Sequence, residues 1–167
     1  MGSGQKDLEK NNPDVRFLFS HPAHFAGLGL GSGLVPKAPG TFGTLAAIPL
    51  WLLLADCTLS IQIAVVALAF VLGIYFCGKT AADLGEHDHG AIVWDEFVGF
   101  WLTMLFAPSG WLWVAVGFVL FRVFDILKPW PIRYFDKHVH GGFGVMLDDV
   151  IAALFAGVLM LVLTHLV

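Results

Sequence analysis

The sequence FRVFDILKPWPIR, residues 121–133, is the densest mixture of opposite charges in a chain that is otherwise mostly apolar. It follows an uncharged run of twenty-five residues, 97–121, so its charges lie at the end of a membrane-length apolar stretch. Ionisable groups in such a position are costly to bury and therefore mark candidate functional sites. Pro129 and Pro131 remove backbone donors and end a helix, so the chain must turn here. We interpret the stretch as one half of a site at a membrane surface.

The composition around this stretch predicts an all-α integral membrane protein. Of the 167 residues, 57% are hydrophobic and only 13% are charged, whereas soluble domains carry about 25% charged residues. The length is that of a single domain. Residues 1–20 are polar and are interpreted as a tail, not as a secretory signal. Residues 21–167 are then one membrane-embedded domain.

Apolar runs separated by polar breaks predict about five membrane helices, arranged as two hairpins of partly short helices and a final span. The second run alone has nineteen residues, which is long enough to cross a bilayer. The turn sequence Pro108-Ser109-Gly110 favours a hairpin in the second half, although one continuous span is the alternative. The predicted helices cover residues 45–55, 59–77, 91–107, 111–127 and 150–167.

With two hairpins and a final span, nearly all of the charge falls on one face. Of the sixteen charged residues outside the tail, fifteen lie on that face and only Asp56 lies at the far tip. All nine Lys and Arg residues share the face, which the positive-inside rule assigns to the cytoplasm. No nucleic-acid partner is expected. The polar loops would therefore form a site facing the cytoplasm.

Three acidic groups converge on this face, namely Asp95-Glu96, Asp125 and Asp148-Asp149. The last pair is predicted to occupy the first turn of the final helix, where the helix dipole tolerates negative charge. Carboxylates crowded in a partly dry site repel one another unless a cation is present. Oxygen ligands without a thiolate favour Mg²⁺ or a similar hard ion.

The same face carries the complementary cations for a phosphate group. Lys37 stands between two prolines just before a helix that Thr41 or Thr44 can cap, and a helix N-terminus favours phosphate. Arg122, Lys128 and Arg133 come from the central stretch. Carboxylates and cations together predict metal-assisted phosphoryl chemistry on a lipid.

Two other functions remain open on these residues. A non-catalytic protein that binds ions or lipid would carry similar charges, although a transporter usually places them near the bilayer midplane. A phosphatase for another lipid phosphate, such as phosphatidate, would need the same groups.

The motifs resemble those of the bacterial phosphatidylglycerophosphatase A family. The resemblance is carried, in this order, by GSGL (31–34), PGTFG (39–43), HDHG (87–90), IVWDE (92–96), residues 121–133, GG (141–142) and VMLDD (145–149). It implies Mg²⁺-dependent hydrolysis of phosphatidylglycerophosphate to phosphatidylglycerol and phosphate, in the bacterial inner membrane.

The resemblance also implies roles for the charged residues, which we state as hypotheses. The residues expected to hold Mg²⁺ and orient water are Asp95, Glu96, Asp125, Asp148 and Asp149, and all of them except Asp148 are expected to be catalytic. The residues expected to bind the phosphate and stabilise its developing charge are Lys37, Thr41, Arg122, Lys128 and Arg133. A carboxylate nucleophile with an aspartyl-phosphate intermediate is the alternative to attack by water.

Overall fold

The computed structural model of the chain describes residues 12–166, and within that range the protein is all-helical. Between the second and third α-helices lies a 3-10 helix, Gly29–Leu34. The α-helices are α1 (Val15–Ser20), α2 (Pro22–Gly27), α3 (Pro39–Leu54), α4 (Leu59–Leu84), α5 (Trp94–Met104), α6 (Trp111–Leu127), α7 (Ile132–His138) and α8 (Gly141–Leu166).

Helices α3 and α4 form one hairpin, and α5 and α6 form the second. The turns of both hairpins line one cavity of about 630 Å³, so both turns lie at the same end of the bundle. At the opposite end, Arg122 Nη1 of α6 lies 3.6 Å from Glu96 Oε1 of α5. The predicted hairpin in the second half is confirmed, and the single continuous span is wrong.

Helix α5 lies at the centre of the bundle, and two of its indole groups donate hydrogen bonds to the two helices of the first hairpin. Trp101 Nε1 donates a hydrogen bond to the carbonyl of Ala47 in α3 at 3.0 Å. Trp94 Nε1 donates to the carbonyl of Ala69 in α4, also at 3.0 Å. Helix α8 packs against α4, α5 and α6. Since α5 touches every other long helix, its first turn is held rigidly.

The outer surface of the bundle is apolar, as expected for lipid contact. By length and composition, α4 and α8 are able to cross a membrane. Only 17% of the most apolar part of α4 is buried inside the protein. Its exposed side chains include Leu68 and Val71, and α8 exposes Val158 and Val162. Large exposed apolar patches of this kind mark a membrane surface, which agrees with the predicted class of all-α membrane protein.

Three predicted helix starts are wrong, and the smallest difference is that of α5, which begins at Trp94 instead of residue 91. Helix α3 begins at Pro39, directly after Ala38 in the left-handed conformation, and no side chain caps it. Thr41 and Thr44 therefore lie inside the helix, where Thr44 Oγ1 donates to the Gly40 carbonyl at 2.9 Å. Proline suits the first helical position because its missing N–H would be unpaired there anyway.

Helix α8 begins at Gly141 instead of residue 150, so Asp148 and Asp149 lie about two turns inside it and not in its first turn. Helix α7 also occupies part of the predicted loop. Glycines usually weaken helices, but Gly142 lies directly against α4, where a side chain would not fit. Close packing of two helices outweighs the intrinsic preference of the sequence.

Part of the predicted tail is folded against the domain. The ring of Phe17 in α1 stacks on His24 of α2 with the ring centroids 4.1 Å apart. His24 Nε2 in turn lies 2.7 Å from Asp83 Oδ2 of α4. The first eleven residues of that tail lie outside the described range. The division into tail and single domain stays a prediction.

The contact between α4 and α8 predicts the effect of Gly142→Ala. A Cβ atom at Gly142 would lie 2.7 Å from the Gly78 nitrogen and 2.9 Å from the Gly78 Cα atom. Overpacking two rigid backbones costs about 2 kcal/mol, so we expect a clear fall in the thermal unfolding temperature in detergent. The matched control is Gly90→Ala, because no described atom lies within 4 Å of a Cβ there. Equal unfolding temperatures for the two variants would contradict this packing.

Candidate active site

A cavity of about 340 Å³ opens at the end of the bundle opposite the hairpin turns. Its wall is built by the start of α3, the loop between α4 and α5, the first turn of α5, the last turns of α6 and the third turn of α8. The charged residues that line it are Asp88, Asp95, Glu96, Arg122, Asp125, Lys128, Asp148 and Asp149.

Three of these carboxylates form a compact cluster. Asp95, Glu96 and Asp149 each offer one oxygen, and these oxygens all lie within 4.8 Å of one another. Asp149 is only 3% exposed. Asp95 Oδ1, Glu96 Oε2 and Asp149 Oδ2 are buried without a hydrogen-bond partner among the described residues. Buried carboxylates without partners are unfavourable, so these three residues could hold a cation.

Arg122 occupies the next position in the cavity and joins α5 to α6. Its guanidinium pairs with Asp125 and lies 3.6 Å from Glu96 Oε1. Its Nε is buried and has no partner in the described part of the chain. One donor of the guanidinium is therefore left for another ligand, while Asp125 holds the group in place.

Gly40 closes the site from the side of α3. A Cβ atom there would collide with the Glu96 carboxylate and would lie 3.1 Å from both terminal nitrogens of Arg122. The backbone of the first turn of α3 therefore reaches the ion pair directly, which only glycine permits. The motif PGTFG indicated this segment, but not this contact.

Lys128 stands at the edge of the cavity, just after the last residue of α6. Its Nζ donates to Asp136 Oδ1 of α7 and to Asp148 Oδ2 of α8, each at 2.6 Å. Burial by itself favours the neutral amine, but the carboxylates of Asp148 and Asp136 outweigh it and raise the pKa of Lys128. The ammonium is therefore charged at neutral pH and links α6, α7 and α8.

The structure brings together most, but not all, of the residues predicted from the sequence. All five predicted metal ligands and two of the predicted phosphate ligands, Arg122 and Lys128, line the cavity. Lys37 is exposed in the loop before α3, and Thr41 is not part of the cavity wall. Arg133 lines a separate groove. Sequence reasoning missed Asp136, because nothing in the spacing shows that it reaches Lys128.

Comparison with known proteins identifies the family. The family model described as Phosphatidylglycerophosphatase A matches residues 25–164. The chain belongs to this family. The resemblance drawn from the motifs is thus confirmed, as is the prediction that the protein is a phosphatase. No solved structure matches the chain significantly.

Three curated relatives are similar to the chain over most of their length. The Phosphatidylglycerophosphatase A of Escherichia coli is 49% identical over 162 residues, covering 96% of this chain and 92% of the relative. That of Haemophilus influenzae is 47% identical, covering 95% of this chain and 98% of the relative. A protein of Bacteroides thetaiotaomicron named "Putative phosphatidylinositol-3-phosphatase" is 40% identical, covering 81% of this chain and 89% of the relative.

The double ion pair of Lys128 predicts a stability effect for this family member. Lys128→Met leaves Asp136 and Asp148 facing each other without a cation, and we expect a loss of about 2 kcal/mol in unfolding free energy. Lys79→Met is the control, because Lys79 pairs with Asp83 on the exposed surface and surface pairs contribute little. Adding Asp136→Asn to Lys128→Met is expected to recover part of the loss in a denaturant titration. Equal losses for the two lysine variants would show that the Lys128 pairs do not stabilise the fold.

Proposed function

We propose that this protein hydrolyses phosphatidylglycerophosphate to phosphatidylglycerol and phosphate, with Mg²⁺, at the cytoplasmic face of the bacterial inner membrane. The observation that carries the proposal is one cavity in which three carboxylates, each with an oxygen that has no partner among the described residues, lie beside Arg122 and Lys128. The names of the two enzymes that are 47–49% identical support the choice of substrate. An apolar outer surface suits a lipid substrate.

The donor set of the carboxylate cluster fits a hard divalent cation. Asp95, Glu96 and Asp149 supply only oxygen atoms, and Mg²⁺ prefers oxygen ligands. Three of their oxygens have no partner among the described residues, and a cation would remove the repulsion between them. When bound, the cation supplies charge neutralisation on the phosphate, which makes it easier to attack. Asp125 pairs with Arg122 and Asp148 with Lys128, and neither belongs to the three-carboxylate cluster, so we place them in supporting roles.

The remaining groups of the cavity bind the phosphate and stabilise the charge that develops on it. Arg122 has an unpaired Nε, and its guanidinium is fixed in advance by Glu96 and Asp125. A preorganised donor of this kind is most effective where charge increases in the transition state. Lys128 adds a second positive charge at the edge of the cavity.

Hydrolysis breaks the bond between phosphorus and the terminal glycerol oxygen of the lipid. A water molecule attacks the phosphorus and its oxygen stays on the released phosphate. The proton that this water gives up balances the one taken by the leaving glycerol oxygen, which becomes the new hydroxyl of phosphatidylglycerol. Asp148 Oδ1 is buried and unpaired among the described residues. We assign it the role of orienting that water, as Asp148 Oδ2 is taken by Lys128.

The first test is phosphate release from phosphatidylglycerophosphate by the purified protein in detergent. We expect release with Mg²⁺ and none with EDTA. Asp95→Asn and Asp149→Asn should each lower kcat/KM by about 10²- to 10³-fold, because each removes a charged ligand. Binding of Mn²⁺, followed by electron paramagnetic resonance, should weaken in the same variants.

The control for this test is Glu86→Gln, which removes an exposed carboxylate outside the cavity and should preserve activity. Release that survives EDTA would remove the metal from the proposal. A folded wild type that releases no phosphate in either condition would favour the non-catalytic alternative. If phosphate is trapped covalently on the protein, the nucleophile is a carboxylate and not water.

The orientation in the membrane is tested with a reporter at each end of the bundle. Cys57 lies at the turn between α3 and α4, on the side opposite the active site. In intact cells we expect a maleimide that cannot cross the inner membrane to label Cys57 from the periplasm. In a Cys57→Ser background, Glu86→Cys at the other end should be labelled only after the membrane is opened. The reverse pattern would place the active site on the periplasmic face.

A phosphatase for another lipid phosphate remains the second candidate. The relative from Bacteroides thetaiotaomicron carries the name of a phosphatase for a different lipid, which is the specific observation in its favour. Competition between phosphatidylglycerophosphate and phosphatidate in mixed micelles decides between the two. We expect phosphatidylglycerophosphate to have the higher kcat/KM.

A further inference from the structure

A second, basic groove lies beside the active site, on the outer side of α7. It has a volume of about 370 Å³. The residues that line it and bear on its chemistry are Lys128, Trp130, Arg133, Tyr134 and Lys137. None of the groups proposed above for the chemical step lies there except Lys128, so the groove has no role in the function described so far.

Lys128 lines both the groove and the active-site cavity. Its ammonium lies between Asp148 of the active site and Asp136 of α7, at 2.6 Å from each. The groove therefore begins where the cavity ends, with one side chain between them. A ligand with two anionic groups could occupy both at once.

The groove carries positive charge that the protein does not neutralise. Arg133 and Lys137 are four residues apart on α7, so they share one face of the helix, where like charges repel. Both are exposed, and neither forms an ion pair with a residue of the described range. The nearest carboxylate in sequence, Asp136, is already bound to Lys128. An anion between Arg133 and Lys137 would relieve their repulsion.

Exposed apolar side chains border both cavities. Ile126 lines the active-site cavity and Leu127 the groove, and both side chains are mostly exposed. Trp130, also at the groove, is 81% exposed. Tryptophan is enriched at the boundary between lipid and water. These side chains are therefore suited to acyl chains, with both cavities at the depth of lipid headgroups.

We infer that this groove binds the phosphodiester of the lipid substrate through Arg133 and Lys137, while the active-site cavity holds the phosphomonoester. The inference rests on the proposed function. In phosphatidylglycerophosphate a single glycerol unit joins the two phosphates, so the headgroup would pass Lys128 between the two cavities. Phosphatidate has a phosphomonoester but no phosphodiester. The groove would thus be the part of the protein that selects between these two lipids.

The test compares kcat/KM for the two lipids in the double variant Arg133→Gln/Lys137→Gln. We expect about a tenfold fall for phosphatidylglycerophosphate, mainly through KM, since two charge-assisted contacts are removed. For phosphatidate the change should stay within about twofold, since that lipid never reaches the groove. Arg16→Gln is the matched control, because it removes an exposed positive charge of α1 that lines neither cavity.

A second measurement uses the product, which keeps the phosphodiester and lacks the phosphomonoester. Phosphatidylglycerol should inhibit the double variant less than the wild type, while inhibition by inorganic phosphate should be unchanged. Micelles are kept at constant surface charge with oleate, an anion without phosphate. This arm gives a result even if the wild type does not hydrolyse phosphatidate.

Each outcome decides one of the two proposals. Selective loss on phosphatidylglycerophosphate, with weaker inhibition by phosphatidylglycerol, supports the groove. An equal fall of kcat/KM on both lipids overturns the inference. Arg133 and Lys137 would then bind the phosphomonoester or promote general binding to anionic membranes. Full activity of the double variant on both lipids overturns it as well. Absence of phosphate release from phosphatidylglycerophosphate by the folded wild type overturns the proposed function itself.

Discussion

Glu96 and Arg122 meet at 3.6 Å, and the arrangement of the active site depends on that contact. It brings the first turn of α5 to the last turns of α6, and Gly40 lets the start of α3 approach the same pair. Arg122 holds Asp125 at the same time. One guanidinium is shared by two carboxylates. The other acidic groups that line the cavity therefore outnumber its remaining cation. The site therefore combines a fixed cation with unsatisfied anions, and the proposed phosphate and divalent cation would complement both.

The bundle places this polar site at its end and leaves its sides apolar. Charged groups are costly within a bilayer, so they gather where the helices reach water. Helix α5 has only eleven residues and is enclosed by α3, α4, α6 and α8. Its carboxylates are therefore buried by protein at one end of the bundle. A lipid phosphate can reach such a site while its acyl chains stay in the membrane.

Lys128 connects the chemistry of the cavity to the surface beside it. It directly follows the last residue of α6, forms ion pairs with Asp136 of α7 and Asp148 of α8, and lines both cavities. Helix α7 owes its position partly to this lysine, and α7 in turn carries Arg133 and Lys137. A single residue thus sets both the edge of the active site and the place of the basic groove. Substrate selection and catalysis would be coupled through packing, without a conformational change.

The sequence by itself determined the class of protein, the hairpins and the family, and it predicted the five carboxylates and two of the cations that line the cavity. These features follow from local properties, such as apolar runs of membrane length, turn residues and motif spacing. Only the tertiary structure decided that α8 starts at Gly141, since the close contact of Gly142 with α4 outweighs glycine's poor helix propensity. It also decided that Lys128 pairs with Asp148, that Arg122 meets Glu96 and that Asp149 joins Asp95 and Glu96 in one cluster. Those partners come from different helices, and which charges meet depends on how the helices pack.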